Sequence, residues 1–482
     1  MNYSLISLEI AVVILGLGLL LADLWIRPEQ KTRLGYLAAL GVGLILFWSF
    51  KFSGVPSASA FNGMFVLDPL ALYFQRFFLL AAIIVLIMSV AFAGRIATGI
   101  SEYYSLIIFA LAGMMFAASA NDLALLFVAL ELITVTFYVL TSFQRARLAS
   151  LEAGVKYLII GALSSAFLVY GIALVFGTTG QLNFNRIAAV ASEFADNRVF
   201  LLGILFILVG LSFKLAAFPA HLWAPDVYQG SPVPTTAFLA VGSKAAGFVL
   251  LLRLLFTAVP AITERWNDLL IVVAMVTILY GNLCAIPQRN LKRIFGYSSI
   301  ANAGYLLMGV AALSGAGRAA VLYYLGGYLF AVLAAFLVIL LVMNEVEGED
   351  ISALAGLNQR SPLLAAALTC SMVSLAGIPP LAGFFGKFLL IKAALEQGAI
   401  DPLYYWLVGV AFLGVIISIS YYFGVIRAIY WSKEPPVLSA IPVPLILRLA
   451  LYVCLAGMFY LGLFPNTVVE LANAAVKVLA VR

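Results

Sequence analysis

Two stretches of the chain interrupt apolar runs that are otherwise long enough to form membrane helices. Residues 211–225 read LSFKLAAFPAHLWAP, and residues 377–388 read GIPPLAGFFGKF. Because proline removes a backbone hydrogen-bond donor and glycine weakens a helix, we expect both segments to be discontinuous. Inside a bilayer, freed backbone groups are tolerated only where they are buried in protein or line water. Two such interruptions at matching places predict internal repeats and a transport site.

The composition assigns the chain to the membrane proteins. Of its 482 residues, 65% are hydrophobic and 10% are charged, whereas soluble proteins average about 45–50% apolar and about 25% charged residues. This excludes a soluble enzyme, a nucleic-acid-binding protein and a disordered chain. The net charge of +6 is typical of lysines and arginines that anchor loops at anionic lipid headgroups.

Residue types that bind metals and nucleotides are scarce. The three cysteines lie far apart, no CxxC motif occurs, and the only histidine is His221. Iron–sulfur, haem and histidine-rich metal sites are therefore poorly supported. No glycine-rich phosphate loop follows a strand, which argues against nucleotide binding. We expect the chain itself to bind no metal or cofactor, and its chemistry to use lysine, glutamate, one histidine and water.

Hydrophobic runs predict fourteen membrane spans. A hydrocarbon core about 30 Å thick needs about 20 apolar residues per helix. With that length as the criterion, the spans are residues 4–26, 33–52, 70–93, 102–119, 121–142, 152–177, 199–220, 233–258, 266–287, 291–313, 319–343, 362–396, 403–431 and 441–463. The fold class is thus an all-α polytopic membrane protein.

Lysine and arginine counts predict the orientation. On the side reached after odd-numbered spans there are twelve, Arg27, Lys31, Arg33, Arg95, Arg145, Arg147, Arg289, Lys292, Arg293, Arg360, Arg427 and Lys433. The opposite side has seven, Lys51, Arg186, Arg198, Arg265, Arg318, Lys477 and Arg482. Because positive charge accumulates in cytoplasmic loops, we expect the first group in the cytoplasm and both termini outside it.

The spacing of the two broken segments predicts a repeat. The separation of Lys214 from Lys387 nearly equals the separation between the starts of spans 8 and 13, at positions 233 and 403. We expect two inverted five-helix repeats, spans 4–8 within residues 101–258 and spans 9–13 within residues 265–432. Three helices in residues 1–93 precede them and one helix, residues 441–463, follows. The alternative is that proline and glycine are simply common in membrane helices.

Four charged residues lie where the bilayer disfavours charge. Glu131 is near the centre of span 5, and Lys244, the twelfth residue of span 8, lies about 17 Å deep at 1.5 Å per residue. Lys214 and Lys387 lie at the two interruptions. Each such charge costs about 2.5–3.5 kcal/mol on insertion scales and is a functional candidate by default. The three lysines predict a proton relay from the inner towards the outer half of the membrane.

Glu131 would control this relay, because an amine kept from water gives up its proton more readily and a nearby carboxylate opposes that release. Structural alternatives remain for each group. Glu131 and Lys214 could form a static ion pair, and Lys387 could hold the carbonyls freed at its break. Lys156 could be a relay group or an interface anchor, and His221 could supply protons or brace its loop.

Four stretches resemble a known family: KLAAFPAHLWAPDVYQGSPVPTTAFLAVGSKAAGF (214–248), ELITVTFYVL (131–140), KRIFGYSSIANAGY (292–305) and GIPPLAGFFGKF (377–388). They are similar to subunit N of the proton-translocating NADH:quinone oxidoreductase, respiratory complex I, whose wider group includes Mrp antiporter subunits. The resemblance covers all fourteen spans. Its most specific part is HLWAPDVYQGSP (221–232).

The resemblance implies an antiporter-like fold with one proton channel in a bacterial cytoplasmic (inner) membrane, moving protons from cytoplasm to periplasm and driven by quinone reduction in other subunits. It matches Glu131, Lys214, Lys244 and Lys387 to the family's glutamate and lysines. It implies membrane-arm partners of the L, M, K and J types. NADH, flavin, iron–sulfur clusters and quinone would belong to the whole complex.

One position departs from the family pattern. Members often have histidine in span 10, where YSSIANAGY places Asn302. Because asparagine does not titrate, a proton step there would use water, Tyr305 or the hydroxyls of Ser298 and Ser299. Two other functions stay open, an Mrp-type sodium/proton antiporter subunit and a scaffold of the membrane arm that translocates no ion.

Overall fold

The computed structural model describes residues 3–54, 56–346, 348–431 and 439–479. Within these residues, thirteen helices are long and apolar enough to cross a membrane. The predicted all-α polytopic fold is thereby confirmed. Lys433 and Arg482, two of the residues that predict the orientation, lie outside the described residues.

The described chain forms two compact units. The first unit holds residues 1–223, 230–267 and 473–482. Its elements are α1 (Ser7–Asp23), α2 (Leu34–Ser49), β1 (Ala58–Ala60), β2 (Phe65–Leu67), α3 (Pro69–Phe92), α4 (Ile100–Ala118), α5 (Leu123–Thr141), α6 (Leu148–Thr179), α7 (Phe184–Val190) and α8 (Arg198–Leu215). The helix that corresponds to span 8, described below, completes this unit.

The second unit holds residues 224–229 and 268–472. It begins with α9 (Ala224–Gly230), a segment that the sequence analysis places in the first repeat. The α-helices that follow span 8 in the chain, which make up the rest of this unit, are α12 (Asn267–Ala285), α13 (Leu291–Ala311), α14 (Gly315–Glu345), α15 (Leu357–Arg360), α16 (Pro362–Ala376), α17 (Ala382–Gln397), α18 (Leu403–Trp431), α19 (Leu445–Leu463) and most of α20 (Pro465–Val476). The repeat boundaries themselves stay predictions.

Span 8 is the most enclosed helix of the first unit. It runs from Val233 to Ala258, and the apolar window within it is wholly buried. Two π-helical turns, Leu239–Ser243 and Leu254–Ala258, flank its central part, so that it divides into α10 (Val233–Phe238) and α11 (Lys244–Arg253). π-Turns are rare and occur often at functional sites. The first of them ends immediately before Lys244.

Both predicted interruptions are real gaps between helices. α8 ends at Leu215 and α9 begins at Ala224, while α16 ends at Ala376 and α17 begins at Ala382. The residues at the two helix ends, Ala216 (φ 55°) and Gly377 (φ 84°), are left-handed and stop the helices. Predicted span 12 is therefore two helices, each shorter than a full span.

A small hairpin between α2 and α3 is not predicted by the sequence analysis. β1 pairs antiparallel with β2, with Ala58 opposite Leu67 and Ala60 opposite Phe65. Phe65 also bridges to Ala120, at the connection of α4 and α5. The hairpin buries Phe65 and Leu67 against neighbouring apolar side chains and covers this end of the first unit.

A buried ion pair joins three helices of the first unit. Both terminal nitrogens of Arg253, in the last turn of α11, donate to Asp68 at 2.9 and 3.0 Å. Asp68 also caps α3 by accepting from the backbone of Ala71, and Arg253 Nε donates to the carbonyl of Ala118 at the end of α4. The side chains of Arg253 and Asp68 are only 2% and 4% exposed. Such a pair is costly to break because one charge is left buried alone.

We expect Arg253→Met to destabilise the protein by about 3–5 kcal/mol, because Asp68 would lose its counter-ion without gaining water. Thermal unfolding of the purified chain in detergent measures this. The matched control is Arg265→Met, since Arg265 pairs with Asp196 at an exposed site and surface pairs contribute little. Equal melting temperatures for the two variants would contradict the structural role of Arg253.

Candidate functional site

Lys214 lies in the last turn of α8, directly before the first gap, and is 5% exposed. Its Nζ donates a long hydrogen bond to the hydroxyl of Tyr157, at 3.4 Å. The same nitrogen lies 5.4 Å from the ring centre of Phe213 and 5.6 Å from that of Tyr157. Trp223 packs against both rings. We call Tyr157, Phe213 and Trp223 the aromatic pocket; its Tyr157 and Phe213 rings make cation–π contacts with the ammonium.

The gap after α8 is closed by an uncharged donor. The indole Nε1 of Trp223 donates to the carbonyl of Phe213 at 3.1 Å. A helix end leaves carbonyl groups without partners, and burial of such groups is costly unless they are bonded. The backbone N–H of Ala216 bonds the same carbonyl at 3.1 Å, and Trp223 adds a second donor, so the charge of Lys214 is not needed there.

Glu131 lies on α5 and is half-buried. Its carboxylate accepts a short hydrogen bond from the hydroxyl of Ser165 on α6. Its charge is within electrostatic range of the Lys214 amine, although the Lys214 hydrogen bond goes to Tyr157. The structure thus places Glu131 near Lys214 but bonded to a serine, and not in a static contact with the lysine.

Lys244 is 2% exposed and begins α11. Gly247 follows it by three residues and so lies on the same helix face, about 4.5 Å further along the axis. A Cβ atom added at Gly247 would lie 3.1 Å from the Cβ of Lys214. α11 and α8 are therefore in close contact one turn from Lys244. The structure brings Lys214 and Lys244 to facing surfaces of two packed helices.

Lys387 is 4% exposed and bridges the second gap. Its Nζ donates to the carbonyls of Leu375 and Ala376, at 2.8 and 3.3 Å. These are the last carbonyls of α16, where the helix dipole favours a positive charge. The same nitrogen lies 4.7 Å from the ring centre of Tyr305. Lys387 therefore holds the broken helix together, as the structural alternative in the sequence analysis proposes.

The two lysines do not occupy equivalent positions. The left-handed residues that end α8 and α16 are Ala216 and Gly377, and they are closer to each other in the chain than Lys214 is to Lys387. Lys214 precedes its gap and belongs to the helix that ends there. Lys387 follows its gap and reaches back to the preceding helix.

Two further residues named from the sequence lie near the first gap. His221 is 2% exposed, and its ring stacks on Phe218 with 5.6 Å between ring centres. Lys156, next to Tyr157 in α6, pairs with Glu152 at 2.6 Å, and its side chain is 40% exposed. Lys156 is thus the accessible lysine of this region.

The second unit contains a buried chain of hydroxyl and amide groups. Tyr324 donates to Asn302 Oδ1 at 2.5 Å, and Asn302 Nδ2 donates to the carbonyl of Ser298 at 2.9 Å. The Ser298 hydroxyl bonds Tyr422 at 2.5 Å. Tyr324 also packs against Gly386, the residue before Lys387. Asn302 is therefore a junction in this hydrogen-bond network.

Tyr305 and Ser298 are predicted from the sequence, whereas Tyr324 and Tyr422 are not. A tyrosine in a membrane span is not anomalous in the way that a lysine is, so composition carries no signal for it. The spacing offers one, because Tyr324 and Tyr328 lie four residues apart on one face of α14.

Metal binding finds no support within the described ranges. No group of three or more histidine, cysteine, aspartate or glutamate side chains there could hold a metal ion. The chemistry that the site offers is the binding and release of protons by amines and a carboxylate.

Comparisons with known proteins find relatives that match nearly the whole chain. The family described as NADH:quinone oxidoreductase/Mrp antiporter, TM matches residues 120–418. NADH-quinone oxidoreductase subunit N of Moorella thermoacetica is 40% identical over 477 residues, 98% of each chain. A chain of respiratory complex I from Thermus thermophilus with bound aureothin is 32% identical, with a TM-score of 0.80 over 97% of this chain and 99% of that one. A chain of the Mrp complex from Dietzia sp. DQ12-45-1b has a TM-score of 0.85 over 99% and 98% of the two chains, but its 23% identity shows the fold alone.

We expect Lys387→Met to lower the thermal stability of the protein more than Lys214→Met. The first variant leaves the Leu375 and Ala376 carbonyls without their donor, and a hydrogen bond to a charged group contributes about 1.5–3 kcal/mol. The second removes only a long hydrogen bond and ring contacts. Thermal unfolding in detergent compares them, with Lys392→Met as control because Lys392 is an exposed lysine of the same helix. Equal losses for the two buried lysines would contradict the structural role of Lys387.

Proposed function

Starting from the fact that the chain belongs to the family of subunit N of NADH-quinone oxidoreductase, we propose that it translocates protons across the membrane through its buried lysines. It is an antiporter-like, multi-pass membrane subunit of the complex I type. The observation that carries the proposal is Lys214, a buried ammonium in contact with two aromatic rings at a gap in a membrane helix.

A lysine in this position is suited to release a proton. A charged amine at membrane depth is costly, so small changes in its surroundings decide whether it stays charged. The aromatic pocket stabilises the ammonium by about 0.5–2 kcal/mol per ring contact, less than a carboxylate contact would. These contacts therefore stabilise the charged form of Lys214 only in part, so that the amine can both bind and release a proton.

Glu131 would switch Lys214 between these two states. In one state Glu131 bonds Ser165, as in the structure. In the other it would turn to Lys214, and at 4 Å and an effective dielectric of about 20 this contact is worth about 4 kcal/mol. Movement of α5 relative to α6 and α8 would exchange the two states. Lys214 would release its proton when Glu131 bonds Ser165 and bind a proton again when Glu131 returns to it.

Lys244 is the proposed next carrier, because α11 touches α8 at Gly247, one turn away. Lys387 is the proposed carrier of the second unit. The hydrogen-bonded chain through Asn302 lies next to it, because Tyr324 packs against Gly386. The step from Lys244 to Lys387, predicted from the sequence, stays part of this proposal. Lys156 and His221 are proposed to supply protons to the aromatic pocket.

The energy would come from other subunits. We propose that quinone reduction elsewhere in the complex, with NADH, flavin and iron–sulfur clusters bound by other chains, drives the movement of α5. The partners would be membrane-arm subunits of the L, M, K and J types. The direction would be from the cytoplasm to the periplasm of a bacterial inner membrane, with both termini periplasmic.

Replacement of Lys214 by alanine tests the central step. We expect Lys214→Ala to abolish proton pumping and to slow the coupled quinone reduction while the complex still assembles. Dye quenching in inside-out vesicles, driven by NADH in sodium-free buffer, measures the pumping. The control Lys392→Ala removes an exposed lysine and should pump normally. Wild-type pumping by Lys214→Ala would rule out the relay, and a requirement for sodium would favour an antiporter that exchanges sodium.

A second variant tests the approach of α11 to α8 without changing any charge. We expect Gly247→Leu to reduce pumping severalfold, because its side chain would push α11 away from Lys214. The same vesicle assay measures the effect. Gly409→Leu is the matched control, since nothing lies within 4 Å of a Cβ added there. If the two leucine variants pump equally, close contact between the two helices is not needed.

A further inference from the structure

A buried carboxylate lies apart from the lysines, at the beginning of the first helix. Glu9, in the first turn of α1, is fully buried. Gln75 of α3 donates from Nε2 to Glu9 Oε1 at 2.5 Å and to the hydroxyl of Ser119 at 3.1 Å. The proton-translocation proposal makes no use of this group.

The hydrogen bonds around Glu9 leave two acceptor oxygens unbonded. Among the described residues, neither Glu9 Oε2 nor Gln75 Oε1 has a hydrogen-bond partner, and both atoms are buried. Burial penalises a carboxylate and an amide that each leave one acceptor oxygen unbonded. An ionised carboxylate can only accept hydrogen bonds, whereas a protonated one also donates.

The charged groups of the surrounding helices are engaged elsewhere. On α3, Arg76 donates to Ser49 and Ser53 and lies over the ring of Phe50. Asp68, which caps the same helix, is held by Arg253. Besides α3, the helices α2 and α4 pack on α1; α2 has no charged residue, and the only charge of α4, Glu102, is in its first turn at the opposite end from Ser119.

One proton removes the buried charge of Glu9 and supplies a donor for Gln75 Oε1. After a half-turn of the Gln75 amide, a Glu9 hydroxyl would donate to Gln75 Oε1 over the same 2.5 Å. That length is at the short end of the range for an O–H···O bond and below the range for an N–H···O bond. We propose that Glu9 is a proton-binding site, held as a neutral carboxylic acid, which fastens α1 to α3 and to the end of α4. This site does not depend on the lysine relay.

Infrared spectroscopy of the assembled complex tests the protonation state. The spectrum of the wild type minus that of Glu9→Gln, recorded in H₂O and D₂O, should show one carboxylic-acid carbonyl band that shifts on deuteration. Glu470→Gln, at an exposed position of α20, is the control and should show no such band. If the wild-type spectrum minus the Glu9→Gln spectrum lacks this band, Glu9 is ionised and the proposal is wrong.

Hydrogen exchange of residues 3–23 in the complex tests what the proton does. In the wild type, alkaline pH should ionise Glu9 and speed exchange of α1 by about tenfold beyond the intrinsic rate, the equivalent of about 1.4 kcal/mol lost from this network. Glu9→Gln keeps a neutral donor and should assemble normally and show no such rise. An alkaline rise that persists in Glu9→Gln, or failure of this variant to assemble, would overturn the proposal.

Discussion

The fold depends on one constraint, that every backbone group within the bilayer must find a partner inside the protein. A helix that stops at mid-depth leaves carbonyl groups exposed to apolar surroundings, and each one left unbonded costs several kcal/mol. The chain stops two helices in this way, after Leu215 and after Ala376. At each gap, a nearby group must therefore donate a hydrogen bond to these carbonyls, and the side chain that does so differs between the two gaps.

The choice of donor separates the two lysines chemically. At the first gap the neutral indole of Trp223 bonds a carbonyl of α8, so Lys214 contributes no bond to the helix end. At the second gap the ammonium of Lys387 is itself the donor, with two carbonyls of α16 as acceptors. Loss of a proton from Lys387 would weaken the bonds that hold its gap closed. Loss of a proton from Lys214 disturbs only ring contacts and one long hydrogen bond. A change of charge is thus coupled to helix geometry at the second gap more strongly than at the first.

The sequence predicts those features that depend on local composition. Hydropathy over the length of one helix is a local property, so the spans follow from it, and Pro219, Pro379 and Pro380 locate the gaps because proline acts on its own helix. The partners of Glu131 and Arg253 are different. Ser165 and Asp68 are 34 and 185 residues away from them in the chain, and nothing local distinguishes these two from other polar residues. The π-turn before Lys244 and the Asn302 junction likewise arise from packing between helices that no spacing rule encodes.

Three buried ionisable sites of the first unit are stabilised in different ways. The way in which each is stabilised separates the structural charges from those that can change their protonation state. Arg253 and Asp68 form a buried ion pair. Loss of either side chain would leave the other as a buried charge without a counter-ion. Glu9 would avoid the problem by carrying a proton. Lys214 is not in a direct ion pair, because its contacts are aromatic rings and a hydroxyl. The nearby carboxylate of Glu131 is bonded to Ser165 instead. A charge that is stabilised only in part and has a counter-ion within reach but not in contact can change state at low cost. That property is what distinguishes Lys214 from the structural charges around it.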